Sequence, residues 1–254
     1  MKITICTMFP EMFDSFLAGP VLRRAVRKGV LEMEIADIKE FAPGSFRHID
    51  DSPFGGGPGM IMRCQPVVDT LRAVSGRTLK ASPNGQPADC AEKDPAADQC
   101  RIAALTPAGA VFCQKKAREL ARLPHLILLC GHYEGMDERI YSYVDEEISI
   151  GDYVLTGGEP AAMVVADAVI RLLPDVLRAG STEDESFENG LLEYPQYTQP
   201  AEFEGMRVPE VLLSGDHERI RQWRHRESLR KTMERRPDLL EKLSLSDESL
   251  ITDY

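Results

Sequence analysis

Two glycine-rich runs constrain the fold of this chain more than any other feature. They are Leu-Leu-Cys-Gly-His-Tyr-Glu-Gly-Met-Asp-Glu-Arg, Leu128 to Arg139, and Ser-Ile-Gly-Asp-Tyr-Val-Leu-Thr-Gly-Gly-Glu-Pro, Ser149 to Pro160. Each follows, or begins within, an apolar stretch that reads as the end of a strand. Glycine lacks a Cβ, so it tolerates positive φ and lets the backbone approach another group closely. Two such loops leaving neighbouring strands predict a ligand held largely by main chain. A generic Gly-Gly pair is more often a simple turn. Two long loops that also carry Tyr133, Glu134, Asp152 and Tyr153 are hard to explain as connections alone.

The rest of the pattern supplies the scaffold. Lys2 to Cys6 reads as a short strand, Glu11 to Ala18 as a helix, and Pro20 opens a second helix through Lys28, proline being tolerated in a first turn. Leu31, Met33 and Ile35 alternate with Glu32 and Glu34 as in a half-buried strand. Pro66 to Ala73 is predicted helical, Ile102 to Leu105 a strand ending at Thr106-Pro107, and Val111 to Leu123 a helix. Leu126 to Cys130 is a continuous apolar strand, Glu146 to Ile150 another, and Pro160 opens a helix through Leu173. Strands alternating with helices, some of them continuously apolar, indicate an α/β fold with a mostly parallel sheet. The helix after Pro160 is apolar nearly all round and is expected to be buried, in part against a second subunit. Gly76 to Gln99 loses apolar periodicity and reads as an irregular surface insertion. The acidic, small-residue stretch after Pro174 reads as a linker, followed by a short strand near Val208 to Leu213 and a basic helical tail. The expected domains are therefore 1–175 and 191–254, joined by a flexible linker over 176–190.

Composition narrows the function classes. At 254 residues, 43% hydrophobic and 28% charged, the chain is of ordinary globular composition. The apolar run from Ala161 to Ile170 is interrupted by Asp167 and is far shorter than a membrane span. The N-terminus lacks a signal-like apolar region, because Pro10, Glu11 and Asp14 arrive too soon. Six cysteines form no C-x-x-C pair. Cys6, Cys113 and Cys130 sit in apolar patterns suited to buried thiols. A reduced, cytoplasmic protein without a cysteine-built metal site is the simplest account.

Known site signatures are mostly missing. The chain has no G-x-G-x-x-G after its first strand, no G-x-x-x-x-G-K-[ST] and no G-x-S-x-G, so dinucleotide, nucleoside-triphosphate and serine-hydrolase readings lose their support. His217 and His225 are eight residues apart, the wrong spacing for a two-histidine metal pair. The net charge of −11 argues against nucleic-acid binding by overall attraction. Charge is uneven, however. Asp216 to Arg236 holds eight basic residues against four acidic ones. That segment fits a phosphate-bearing partner and a solvated, ion-paired helix equally well.

Several runs taken together carry a resemblance. They are Asp50-Asp-Ser-Pro-Phe-Gly-Gly-Gly-Pro-Gly-Met60, the Cys130 to Arg139 and Ser149 to Glu159 loops, Gly190-Leu-Leu-Glu-Tyr-Pro-Gln-Tyr-Thr-Gln-Pro200 and Pro209-Glu-Val-Leu-Leu-Ser-Gly-Asp-His217. In this order they resemble the bacterial tRNA (guanine-N1)-methyltransferase family, TrmD, of the SPOUT class. The likeness covers most of the chain and is weakest over Gly76 to Gln99. It implies a trefoil-knotted α/β domain that binds S-adenosylmethionine, a flexible linker and a small, mainly helical C-terminal domain that grips tRNA. It also implies a homodimer whose active sites are shared between subunits. Periodicity alone gives no sign of a knot, which is a rare exception to the rules of chain connection.

By that likeness the cofactor would be held by Leu105, Thr106 and Pro107, by Gly131, Tyr133 and Glu134, and by Ile150, Gly151, Asp152, Tyr153, Val154 and Leu155 with Gly157 and Gly158. The implied reaction methylates N1 of the guanosine 3′ to the anticodon, which requires loss of the N1 proton to a general base. The family pattern places an aspartate there, followed by Ser-Phe. This chain has Glu185-Ser186-Phe187, preceded by Asp184. Glu185 aligns directly and is preferred; Asp184 has the family's side chain one residue early. Arg171 matches the assisting arginine. Asp50, Ser186 and His217 are further candidates for contacts to the target base. Mg²⁺ is implied as a supporting ion, with no sequence signature for its ligands. The rival readings are a non-catalytic RNA-binding relative, altered at the base position, and a related methylase with another RNA target.

Overall fold

The computed structural model describes residues 1–81, 99–178, 180, 182 and 184–244. Most of the Gly76 to Gln99 insertion therefore lies outside the described residues. The chain divides into two compact units, Met1–Leu177 and Arg178–Tyr254.

The first unit is built on β1 (Lys2–Thr7), a 3-10 turn (Pro10–Phe13), α1 (Asp14–Leu17), α2 (Pro20–Arg27), β2 (Glu32–Asp37), the two-residue strands β3 (Asp50–Asp51) and β4 (Ile61–Met62), and α3 (Cys64–Ser75). It continues with β5 (Cys100–Val111), α4 (Gln114–Leu120), β6 (His125–Cys130), a 3-10 turn (Glu138–Tyr143), β7 (Glu146–Ser149) and α5 (Glu159–Ile170). Five strands form one parallel sheet in the order β2-β1-β6-β5-β7. The period of two along each strand divides its side chains between two cores. Leu126, Leu128 and Cys130 of β6 join Ile3, Ile5, Ala103 and Leu105 beneath α2, α4 and α5. Ile127 and Leu129 face the other way, with Ile102, Ala104 and Cys6, against α3. A strand covered on both faces has to be apolar throughout, which explains the unbroken run at Leu126–Cys130.

Three expectations for this unit need correction. Val111 is not helical: β5 is interrupted after Leu105 and pairs with β7 again at Ala110 and Val111, so α4 starts only at Gln114. Gly109 makes that return possible, because a Cβ there would overlap the backbone of Glu147 and Ile148. Cys113, expected to be buried, is exposed at the N-cap of α4. The stretch from Glu11 to Ala18 is a 3-10 turn followed by four residues of α-helix rather than one continuous helix. In α5, Ala161, Ala162, Val165, Ala166, Val169 and Ile170 are buried, while Val164 and Asp167 form an exposed stripe.

The second unit contains the hairpin β8 (Glu202–Phe203) and β9 (Met206–Arg207), then α6 (Glu210–Leu213), α7 (His217–Arg235) and α8 (Pro237–Ser244). The strand expected near Val208 to Leu213 is instead α6. Pro209 lacks the N–H a ladder needs, and its fixed φ suits entry into a helix. The Asp216 carboxylate caps α7 by accepting from the Arg219 amide at 3.1 Å. Leu192 N–H donates to Thr232 Oγ1 and Lys231 Nζ to the Glu193 carbonyl, both at 2.9 Å, so the chain at Leu192 and Glu193 lies against α7. Trp223, Ser228 and Thr232 are the buried residues of that helix. No helix among the described residues is long and apolar enough to cross a membrane.

Candidate active site

In an open parallel sheet, ligands are received beyond the carboxyl ends of the strands. At that end the loops after β5, β6 and β7 enclose a cavity of 270 Å³. Leu105, Thr106 and Pro107 contribute from β5 at its interruption. The loop after β6 contributes Gly131 to Met136, and the loop after β7 contributes Ile150, Gly151 and Tyr153 to Gly158. Of the sequence-derived cofactor residues, only Asp152 stands outside this lining; it is exposed between Gly151 and Tyr153.

The loops are fixed to one another by backbone. Gly158 N–H donates to the Gly131 carbonyl at 2.7 Å. A Cβ on Gly158 would come within 2.8 Å of the Cys130 Cα, so the crossing requires glycine. The Gly-rich run from Asp50 to Met60 forms the turn between β3 and β4, with Gly55, Gly56, Gly57 and Gly59 at positive φ. This hairpin docks on the loop after β6: Glu134 N–H donates to Met60 O at 3.0 Å, Met62 N–H to Gly135 O at 2.9 Å, and Asp137 N–H to Met62 O at 3.0 Å. Tyr133 sits at φ +60, a left-handed conformation uncommon for a bulky residue and found preferentially at functional sites. Burial pushes the Tyr133 phenol up, and the negative charge of Asp50 adds to the effect. Asp50 is therefore an electrostatic neighbour of the cavity wall.

The far end of the β6 loop is anchored by charge. The Asp137 carboxylate accepts from the Arg139 amide, Nε and Nη2 at 3.0, 2.9 and 2.6 Å. The Arg139 guanidinium holds the Asp137 carboxyl well below the usual carboxylate range. Cys64 lies beside the pair, its thiol pushed up to about 11 by burial and by Asp137. In the loop after β7, Tyr153 Oη donates to the Ile150 carbonyl at 3.2 Å, curling the chain over Gly151, which sits at φ +143.

Sequence reasoning missed His132, Gly135, Met136, Tyr141, Ile148, Ser149, Thr156 and Ala161, all of which line the cavity. His132, Gly135, Met136, Ser149 and Thr156 lie inside the two glycine-rich runs and were within reach of that signal. Tyr141 comes from a 3-10 turn without a periodic signature, and Ile148 and Ala161 look like plain core residues. Burial raises the Tyr141 phenol, opposed by a hydrogen bond with Thr106.

Arg171 follows α5 as its C-cap, its amide donating to the Asp167 carbonyl at 3.1 Å. Asp184, Glu185, Ser186 and His217 belong to the second unit. There Ser186 Oγ accepts from the Glu193 amide at 3.0 Å, and the Glu188 amide donates to the Glu185 carbonyl at 3.2 Å. Asp184 is close enough to Tyr194 for its charge to raise the phenol, after burial and against Arg224. His217 is the first residue of α7. On that helix Arg221 pairs with Glu218, and Arg230 with Glu227 and Glu234. Arg219, Arg226 and Arg235 are exposed and make no ion pair among the described residues.

Comparison with known proteins agrees across the chain. The model of the family described as tRNA (Guanine-1)-methyltransferase TrmD matches residues 1–242. The chain is 48% identical over 252 residues to the tRNA (guanine-N(1)-)-methyltransferase of Limosilactobacillus fermentum, covering 99% of this chain and 94% of that one. It is 48% identical over 250 residues to that of Geobacillus kaustophilus, covering 98% and 95%, and 49% identical over 258 residues to that of Heliobacterium modesticaldum, covering 100% and 90%. A cavity walled by glycine loops at the end of a parallel sheet, and full-length similarity of this order, lead to one assignment: the chain belongs to the tRNA (guanine-1)-methyltransferase TrmD family.

Proposed function

We propose that this protein transfers the methyl group of S-adenosylmethionine to N1 of the guanosine 3′ to the anticodon of tRNA. The observation that carries the reading is the cavity between the loops after β5, β6 and β7, in a chain whose relatives bear the tRNA (guanine-N(1)-)-methyltransferase name. The residues present fit the cofactor. Main-chain groups around Gly131, Gly151, Gly157 and Gly158 can pair with an adenine edge. Leu105, Ile148, Leu155 and Ala161 offer apolar surface to the nucleoside, and the Glu134 carboxylate suits a cationic group. When bound, the cofactor supplies an electrophilic methyl carbon.

The chain's own groups then act on the guanine. N1 carries a proton at neutral pH, so a carboxylate must take it up, and we assign that role to Glu185, with Asp184 as the alternative. Arg171 would stabilise the negative charge that develops toward O6. Asp50, Ser186 and His217 would contact the target base, which has to leave its stack to be reached. In this reading residues 1–175 form a SPOUT-type trefoil-knotted domain, 176–190 a flexible linker and 191–254 a tRNA-binding domain with basic α7 at its surface. The enzyme would work in the cytoplasm as a homodimer with shared active sites. Among the described residues no three His, Cys, Asp or Glu side chains cluster to hold a metal ion.

The test is methyl transfer from labelled S-adenosylmethionine to two tRNA transcripts. One carries guanosine 3′ to the anticodon, preceded by another guanosine; the other has the target replaced by adenosine. Label on the first alone is expected. Label on both would move the target elsewhere, and label on neither, with cofactor binding intact, would make the protein a non-catalytic relative.

A further inference from the structure

Glu159, the first residue of α5, is 1% exposed. Its Oε1 accepts from Thr7 Oγ1 at 2.8 Å, and Thr7 Oγ1 in turn accepts from the Phe9 amide at 2.9 Å, where β1 ends. Among the described residues its Oε2 makes no hydrogen bond and lies 3.7 Å from His132 Nδ1, which makes none either; both atoms are shielded from solvent. Gly157 covers the two atoms, since a Cβ there would run into both of them. The His132 ring is held between Phe9, with centroids 4.8 Å apart, and Tyr133, edge-on at 5.4 Å. Two buried polar atoms facing each other under a glycine are a donor and an acceptor a small rotation short of bonding, because an unpaired buried carboxylate oxygen is strongly disfavoured.

We propose that Glu159 and His132 form a positioning pair, His132 Nδ1–H donating to Glu159 Oε2, that sets the shape and affinity of the adenosyl pocket. Through this one carboxylate the end of β1, the start of α5 and the loop after β6 are tied together, and that loop carries Tyr133 and Glu134 into the cavity. The glycine at 157 follows from the same arrangement, since any side chain there would force the two partners apart. The inference rests on the reading of the cavity as the cofactor site.

The experiment is calorimetric titration of the intact protein with S-adenosylhomocysteine, alongside thermal melts. His132→Phe keeps a ring between Phe9 and Tyr133 but removes the donor, and is expected to weaken binding about tenfold. His132→Asn returns an amide donor near the Nδ1 position and is expected to bind within about threefold of wild type, a gap under 1 kcal/mol. Adding Glu159→Gln to His132→Phe should recover part of the loss, since a neutral amide tolerates the missing partner better than a carboxylate. Steady-state rates should show the loss in KM for the cofactor, with kcat at saturation little changed. Wild-type-like binding by His132→Phe would overturn the pair, and so would equal losses in His132→Phe and His132→Asn or no recovery in the double variant. If His132→Phe does not fold, the Asn variant decides alone: binding within about threefold of wild type supports the pair, and a loss of about tenfold or more overturns it. Failure of the wild type itself to bind would instead overturn the cofactor reading and the pair with it.

Discussion

The Gly158 backbone crosses the end of β6 so closely that a Cβ would stand 2.8 Å from the Cys130 Cα and 2.9 Å from the Gly131 nitrogen. No flexible side chain is available there to give way; the obstacles are main chain. Gly158→Ala should therefore separate the two cavity loops and break the 2.7 Å bond from Gly158 N–H to Gly131 O. The expected cost is about 1–3 kcal/mol of stability, the usual range for overpacking. Loss of S-adenosylhomocysteine binding should exceed what the fall in melting temperature explains. Gly180, whose added Cβ would meet nothing within 4 Å among the described residues but whose φ is +80, serves as the comparison. Gly180→Ala should lower stability through strain alone and leave cofactor binding unchanged.

Much of this site was legible because main chain and glycine spacing build it. The two glycine-rich runs mark the loops that meet at Gly131 and Gly158, and the apolar Leu126–Cys130 stretch marks the central strand between them. The return of β5 to β7 through Gly109 was not legible, because Val111 and Phe112 suit a helix as well as a strand and pairing decides between them. The helix at Glu210–Leu213 was misread for the same reason, since four residues carry too little periodicity to distinguish the two. Tyr141 and the buried Glu159 escaped because their roles depend on contacts across the sequence, Thr7 with Glu159 above all.

The Asp137–Arg139 contact predicts a specific acid response. Hydrogen bonding to Arg139 depresses the folded-state pKa of Asp137 below its unfolded value. Its contribution to stability is therefore complete above the ordinary carboxylate pKa, about 4, and is lost as pH falls through the depressed folded value. Arg139 is exposed, so the contribution is screened and modest. Melting temperature of Asp137→Asn should equal or approach that of wild type in acid and fall below it above about pH 4. A constant difference between the two proteins across the acid range would remove Asp137 as the titrating group.

Exposed arginines on α7 give a prediction for tRNA affinity. Arg221 and Arg230 are engaged by acidic neighbours on their own helix, whereas Arg219, Arg226 and Arg235 are not. Cations left uncommitted on a surface are the ones able to displace counterions from phosphate. Alanine at each of these three should weaken tRNA binding and reduce the salt slope by about 1 for each phosphate contact removed. The same changes at Arg221 and Arg230 should do less. Melting temperature and S-adenosylhomocysteine affinity should stay as in wild type, since none of these residues lines the cavity.

The acidic segment before Phe187 provides the sharpest test of the chemistry. Asp184 has a neighbour in its own unit, with its charge felt at the Tyr194 phenol. Ser186 is likewise held, its hydroxyl accepting from the Glu193 amide at 3.0 Å. Neither contact decides between the two carboxylates; the proposed base is Glu185, in register with the aspartate of the family pattern, with Asp184 as the alternative. Glu185→Gln should lower the single-turnover methylation rate by about 10²–10⁴, the range for a general base. Cofactor affinity should be retained, because the carboxylate acts on the guanine proton alone. Asp184→Asn should cost far less, and Arg171→Ala about 10²–10³, as for loss of one charge-stabilising donor. Collapse with Asp184→Asn and not with Glu185→Gln would reverse the two carboxylates. The extra methylene of Glu185 adds one further expectation. Glu185→Asp should keep more activity than Glu185→Gln, because it restores the family's side chain and still presents a carboxylate to N1.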